Sequence, residues 1–250
     1  MNDRQSAVLE MLRQGQRVGV RELASRFGVA EMTIRRDLAR LQERRLLIRT
    51  HGGGVPTERL YFPQGGAAAA AACPEKLAIG RCAARLVSPG QTVMVDAGMT
   101  ALQVARHLPG NAGITVVTTS LCVAQELFGS AINVLLLGGF LRKEFPSLYG
   151  PLTESALRSL HVDVLFIGCD GASSEEGFYT VDLHLFNLEQ AMLGIADRVV
   201  LVTESAKFGR RAFARFAEPG QVHTLVTDAG LSPQDRANLE ESGIKVVVAA

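Results

Sequence analysis

No stretch of about 18 uncharged apolar residues occurs in the 250-residue chain, so no membrane-spanning helix is expected. The first residues, MNDRQSAVLEM, lack the apolar core of a secretory leader, and a cytoplasmic protein is the expectation. Cysteine is scarce. Cys73, Cys82, Cys122 and Cys169 follow no CxxC or metal-ligand spacing, which argues against a disulfide framework or a zinc site and leaves free thiols. Neither GxGxxG nor the P-loop pattern GxxxxGK is present, so nucleotide binding by those routes is unsupported. No metal and no cofactor are expected.

Lysine is missing from residues 1–50, although arginine is abundant there. That segment holds eleven arginines and six acids, a net charge of +5, whereas the remaining 200 residues hold 15 basic and 19 acidic side chains, a net charge of −4. A basic piece on a mildly acidic body implies a small anion-binding module joined to a domain with another task.

Within the basic piece, Ala7, Val8, Met11 and Leu12 form the apolar stripe of a first helix. Val20, Leu23, Ala24 and Phe27 form that of a second, which Gly28 stops as a C-cap. The spacing then predicts a third helix from about Glu31 to Arg44. Ile34, Leu38 and Leu41 face inward, and Thr33, Arg36 and Arg40 share another face, with Asp37 beside Arg36. Two helices joined by a short Gly-containing turn, the second presenting Thr and Arg, fit a helix-turn-helix. Arginine suits both guanine edges and phosphate oxygens because its planar fork binds either bidentately. After it, LLIRTHGGGV can extend and turn as a β-wing, with Arg49 and His51 as donors and Gly52–Gly54 allowing close approach to the DNA backbone.

These residues resemble the winged-helix signature of the DeoR family of bacterial transcriptional regulators. It is carried here by Gln5, Val8, Leu9, Leu12, Val20, Leu23, Ala24, Phe27, Val29, Thr33-Ile34-Arg35-Arg36-Asp37-Leu38, Leu41, Arg49 and His51-Gly52-Gly53. The resemblance implies DNA contacts from Thr33, Arg35, Arg36, Arg40, Arg49, His51 and Gly52. One departure is Ala30, where the family usually has a serine that would cap the third helix.

Residues 56–74, PTERLYFPQGGAAAAAACP, read as a linker from their Pro, Gly-Gly and alanine run. The domain boundaries follow: a DNA-binding domain at 1–57, a linker at 58–74 and a ligand-sensing domain at 75–250. In that last domain seven apolar, β-branched runs alternate with six helical segments, which predicts a parallel α/β sheet covered on both faces. Open α/β sheets bind ligands beyond the carboxyl ends of their strands. Five such ends, DAGMT (96–100), TTS (118–120), GGF (138–140), GCDGASSEEGFYT (168–180) and TESAKFG (203–209), carry Gly, hydroxyl, Asp or Lys groups. Asp96 and Asp170 can accept from sugar hydroxyls, Lys207 can meet a phosphate, and a helix starting at Thr100 can hold one at its first turn.

This body resembles the DeoR-family sensor domain, whose fold is similar to ribose-5-phosphate isomerase. The motifs are matched by Asp96, Gly98 and Thr100; by Thr118 and Ser120; by Leu137, Gly138, Gly139 and Arg142; by Gly150 and Pro151; by Gly168, Asp170, Gly171, Gly177 and Thr180; and by Ser205, Lys207, Phe208 and Gly209. Met99, Thr119, Glu204 and Ala206 depart from it. The implied ligand-binding set is Asp96, Gly98, Thr100, Thr118, Ser120, Gly138, Gly139, Arg142, Asp170, Gly171 and Lys207. The fold class expected is therefore α/β, an N-terminal winged helix-turn-helix followed by a mostly parallel α/β sensor domain. The expected function is a sequence-specific transcriptional regulator, a repressor of a sugar-utilisation operon relieved by a sugar phosphate or related metabolite. Its partners would be an operator in double-stranded DNA, a small-molecule effector and further copies of itself, as a dimer or tetramer. No catalytic residue is expected. The alternative is a sugar-phosphate isomerase-like enzyme fused to a nucleic-acid-binding module, in which Glu189, Asp170 and Lys207 form a conceivable set. Against it, a glutamate on an amphipathic helix is expected at the surface.

Overall fold

Apolar residues at helical spacing in the first fifty positions, and at strand spacing beyond position 90, build two separate cores. The structure is a computed structural model, and it describes residues 3–13, 18–43, 47–50, 53–55, 73–108, 113–142 and 146–249. The chain divides into two compact units, Met1–Ala72 and Cys73–Ala250. The linker expected at 58–74 lies outside the described residues except for Cys73 and Pro74, and Pro74 already opens a helix.

In the first unit, α1 (Asp3–Arg13), α2 (Val20–Phe27) and α3 (Glu31–Glu43) enclose a core of Val8, Leu9, Leu12, Leu23, Ile34, Leu38, Leu41 and Leu47. Gly28 ends α2 in the left-handed region at φ 63°, which only glycine adopts without strain. Three short strands, β1 (Val18–Gly19), β2 (Ile48–Thr50) and β3 (Gly53–Val55), form an antiparallel sheet in the order β1-β3-β2. Val18–Gly19 was not foreseen as a strand. Two residues give no periodicity to read, and their pairing with Gly53 and Gly54 is set by the fold. A side chain at Gly53 would collide with the Val18 carbonyl, so this glycine is required by strand pairing whatever it offers DNA.

Asp37, one step around the helix from Arg36, is 3% exposed and accepts hydrogen bonds from Arg4 Nε at 2.6 Å and Gln5 Nε2 at 2.8 Å. A one-residue step around a helix is 100°, enough to turn Asp37 from the arginine face onto α1. The pair fastens α3 to α1.

The second unit contains α4 (Pro74–Ala84), β4 (Thr92–Val95), α5 (Met99–His107), β5 (Thr115–Thr118), α6 (Leu121–Leu127), β6 (Asn133–Leu136), β7 (Phe140–Arg142), β8 (Ser147–Tyr149) and α7 (Pro151–Leu157). It continues with β9 (Val162–Ile167), β10 (Gly171–Ser173), β11 (Gly177–Thr180), α8 (Leu183–Leu193), β12 (Ala196–Val202), β13 (Ala214–Ala217), β14 (Thr224–Thr227), α9 (Pro233–Glu241) and β15 (Lys245–Val248). The main sheet has seven strands in the order β15-β14-β12-β9-β4-β5-β6, and every pairing in it is parallel. All seven strands and six helices expected from the sequence are present, with ends shifted by a few residues. The β7–β8 hairpin and the small β10-β11-β13 sheet were not foreseen. Their strands are three or four residues long and carry Gly and Ser, so local pattern says little about them.

Val93, Met94, Val95, Leu165, Phe166, Ile167 and Leu201 are sealed in the sheet by helices, while Phe178 and Phe216 anchor the small sheet to the same core. Each such side chain contributes about 1.5–3 kcal/mol through burial. After β4 the chain runs outward to β5 and β6, then returns to place β9 on the other side of β4. The β4/β9 boundary is thus a topological switch point, where an open α/β sheet leaves a crevice at its carboxyl ends.

Candidate functional site

Two sets of residues can do chemistry, one on each unit. On α3, Arg35, Arg36 and Arg40 are exposed and Thr33 is half-buried, while Ile34, Leu38 and Leu41 point into the core. Arg35 is engaged by Glu31 one turn earlier, with Nη2 to Oε2 at 2.7 Å, so contact with a base or phosphate would exchange this exposed pair for a new partner. Arg36 and Arg40 are one turn apart on the exposed side. Met32, 56% exposed, stands at i relative to Arg35 and Arg36 and belongs to the same face. Met32 is not among the residues expected on this face. Its i, i+3, i+4 spacing with the two arginines was the available signal. The backbone of Arg49 lies in β2, paired with Gly54. Its side chain, His51 and Gly52 lie outside what the structure describes.

At the switch point, Asp96 leaves β4 and Gly168 leaves β9 side by side. The Asp96 amide donates to the Phe166 carbonyl at 3.0 Å, and the Gly168 amide donates to Asp96 Oδ2 at 3.4 Å. Asp96 is set deep enough that desolvation raises its pKa despite the amides of Ala97, Gly168 and Gly98, and the Asp170 charge adds to the rise. Asp170 accepts from the Val181 amide at 2.9 Å. Glu189 of α8 completes the group. It is 7% exposed and one oxygen, Oε2, has no hydrogen-bond partner. Burial first, then the charges of Asp96 and Asp170, push its pKa well above the ordinary value, against opposing help from Thr180 and Arg142. Burial thus favours the protonated form of Glu189. The expectation that this glutamate lies at the surface is corrected: α8 is apolar around most of its circumference and turns Glu189 inward beside buried Leu188 and Met192. Arg142, on β7, is held by Asp182 at 3.0 Å, and its Nε is buried without a partner.

A second pole lies at the first turn of α5. Gly98 caps this helix without any side-chain bond, and Thr100 Oγ1 donates to Glu204 Oε2 at 3.2 Å. Lys76 of α4 reaches the other oxygen of Glu204 at 2.8 Å. Lys207 is half-buried in a turn of 3-10 helix after β12. Cys169 lies between the poles; burial pushes its thiol up to about 12, modified by Thr203, Lys207, Asp170 and Glu204, so it stays protonated. Lys76, Glu204 and Glu189 were not among the expected ligand residues. Glu204 lies in the 203–209 strand end itself, and only packing reveals that α4 and α8 bring Lys76 and Glu189 there.

Several expected residues have structural partners of their own. The Thr118 hydroxyl donates to the Val95 carbonyl at 2.7 Å and accepts from the Ser120 amide at 3.0 Å, so it ties β5 to β4. Ser120 caps α6 by accepting from the Val123 amide at 3.2 Å. Both are fully buried. At Gly139 a side chain would collide with Thr153 Oγ1 and the Tyr149 carbonyl, and at Gly171 with the Arg210 carbonyl. These two glycines have a packing reason independent of any ligand. Gly138 has open space around it, and its carbonyl accepts from Thr153 at 2.7 Å. Thr119, one of the departures from the motif, is buried with its hydroxyl unpartnered.

Residues 4–59 match the DeoR-like helix-turn-helix domain, and residues 72–229 match the DeoR C terminal sensor domain. The HTH-type transcriptional regulator GlpR of Haloferax volcanii is 34% identical over 98% of this chain and 96% of its own length. The HTH-type transcriptional repressor GlcR of Bacillus subtilis is 32% identical over 98% and 95%. The glycerol-3-phosphate regulon repressor of Escherichia coli is 30% identical over 90% of each chain. Among solved structures, ribose 5 phosphate isomerase A from Neisseria gonorrhoeae resembles 54% of this chain and 53% of its own, at 16% identity and a TM-score of 0.40.

Proposed function

We propose, from the premise that this chain belongs to the DeoR family of transcriptional regulators, that it represses a sugar-utilisation operon and leaves its operator when a phosphorylated sugar or related metabolite binds at the sheet's carboxyl ends. The relatives named above are regulators and repressors rather than enzymes, and one is named for a phosphate ester regulon.

The observation that carries the ligand class is the pairing of two unlike poles at one switch point. At one pole Lys76, Thr100 and an uncapped helix start bring a cation, a hydroxyl and a positive helix end together around the Glu204 carboxylate, the donors that a phosphate would also need. At the other, Asp96 and Asp170 offer carboxylate acceptors beside the buried Glu189, whose pKa burial raises and whose Oε2 has no partner. A phosphate on one end of a polyol and hydroxyls on the other match that division. On DNA, Arg36 and Arg40 would neutralise phosphates while Thr33, Arg35 and Met32 face base edges, Met32 against a thymine methyl. Arg49, His51 and Gly52 would contact the backbone from the wing. Operators for such modules are two-fold repeats, so a dimer or tetramer in the cytoplasm is part of the proposal. Repression is relieved only if the effector binds the non-operator state more tightly, so the site must differ between the two states.

A thermal-shift panel of sugar phosphates against their unphosphorylated parents tests the ligand class. A rise specific to one phosphate ester is expected. Equal shifts from the ester and its parent, or none from any ester, would remove phosphate from the reading.

A further inference from the structure

We infer that Glu204 is a built-in occupant of the anion position at the first turn of α5, and that it sets how strongly this chain accepts a phosphate. The inference rests on the reading that the effector binds at these strand ends. Glu204 follows β12 at the carboxyl edge of the sheet, and its two oxygens are separately engaged, Oε1 by Lys76 Nζ at 2.8 Å and Oε2 by Thr100 Oγ1 at 3.2 Å. The side chains of Lys76 and Glu204 are only 22% and 15% exposed. Thr100 is the second residue of α5, a nine-residue helix with no acidic side chain in its own first turn and no side-chain cap on Gly98. A cation, a hydroxyl donor and a positive helix end therefore converge on one carboxylate supplied by another part of the chain. Carboxylate and phosphate oxygens make the same demands on such donors. The side chain is thus an intramolecular stand-in for the anion the place would hold.

A second observation points to a ligand at the same strand ends. Asp96, whose carboxylate accepts from the Gly98 amide at the start of α5, acts on Glu189, and Glu189 keeps a buried oxygen without a partner. A buried polar atom left unmatched is rare unless something else completes it. The site is therefore open at the carboxyl pole and filled at the anion pole. A ligand that brings hydroxyls meets the unpartnered Glu189 Oε2. One that also brings a phosphate must first displace Glu204 from Lys76 and Thr100, or sit against its like charge. Glu204 thereby weakens every phosphate ester and leaves neutral polyols unaffected, which makes it a specificity determinant.

The test is calorimetric titration of inorganic phosphate into the full-length protein, as wild type and as Glu204→Gln. Glutamine keeps an acceptor for Thr100 and removes the charge. Phosphate affinity is expected to rise tenfold or more in Glu204→Gln, and to stay unchanged in Glu175→Gln, which removes one exposed charge elsewhere. Glu204→Asp, which withdraws the carboxylate by one methylene, gives the same direction and covers the case in which the glutamine variant does not fold. Equal or weaker phosphate binding in the folded Glu204 variants overturns the inference, as does an equal gain in Glu175→Gln. If a phosphate ester stabilises the wild type in the panel above and the Glu204 variants show no gain, the role of Glu204 falls and the sensor reading stands. No phosphate response in any of the proteins overturns both.

Discussion

Glu189→Gln separates the proton on this side chain from its shape, since glutamine is nearly isosteric with the protonated acid. In the folded chain Glu189 is 7% exposed, and burial with the charges of Asp96 and Asp170 holds its pKa well above 4.5. Below pH 4.5 it is protonated in both folded and unfolded chains and contributes no pH dependence. As the pH rises past 4.5 the unfolded chain releases the proton while the folded chain keeps it. Wild-type stability then falls by about 1.4 kcal/mol per pH unit until the raised pKa is passed, where the loss levels off. Glutamine has no proton to release, so its stability lacks this slope. The rise at Asp96 is common to both proteins and cancels in the comparison. Urea unfolding followed by far-ultraviolet circular dichroism, which suits a chain without tryptophan, would be run from pH 5 to pH 8. Between pH 5 and pH 6 alone the gap should widen by up to about 1.4 kcal/mol in favour of Glu189→Gln. Parallel stability curves would mean that Glu189 is ionised in the folded protein and that the carboxyl pole has been misread.

Arg36→Ala should weaken operator binding more than tenfold and lower the salt slope by about one, measured by fluorescence anisotropy on an operator fragment; equal affinity would take α3 out of the groove. Asp37→Ala removes two charged hydrogen bonds between α3 and α1 and should cost about 2–3 kcal/mol, the value being held down because Arg4 is partly exposed and regains water. Operator affinity should then fall with temperature earlier than in wild type, while effector binding is unchanged. Loss of effector binding with intact DNA binding would contradict the assignment of Asp37 to the first unit's framework. Lys207→Ala should abolish the effector response and leave operator affinity alone; retained induction would move the ligand away from the β12 end.

The fold was legible where pattern repeats. Ile34, Leu38 and Leu41 announce α3, and the apolar runs of β4, β9 and β12 announce a buried parallel sheet, because periodicity survives whatever packs against it. The site was legible only in part. Asp96, Thr100 and Asp170 follow strands directly, so chain order alone brings them to the carboxyl edge. Lys76 and Glu189 sit on helices far away in sequence and arrive through helix–sheet packing, which no local pattern encodes. Glu189 went wrong for a definite reason: a single acid on a helix is normally solvated, and α8 is a helix that buries it. Thr118, Gly139 and Gly171 show the converse. They match ligand motifs, yet close strand contacts already account for them.

Release of DNA by the effector is the central step of the proposed regulation. The direct measurement is anisotropy of a labelled operator fragment bound to the full-length protein, titrated with the phosphate ester that stabilises it and with the unphosphorylated parent. The ester should lower operator affinity by at least tenfold at constant salt, with no such effect in Lys207→Ala. An operator complex that saturating ester leaves intact, or tightens, would contradict the claim that this chain is a repressor relieved by a sugar phosphate.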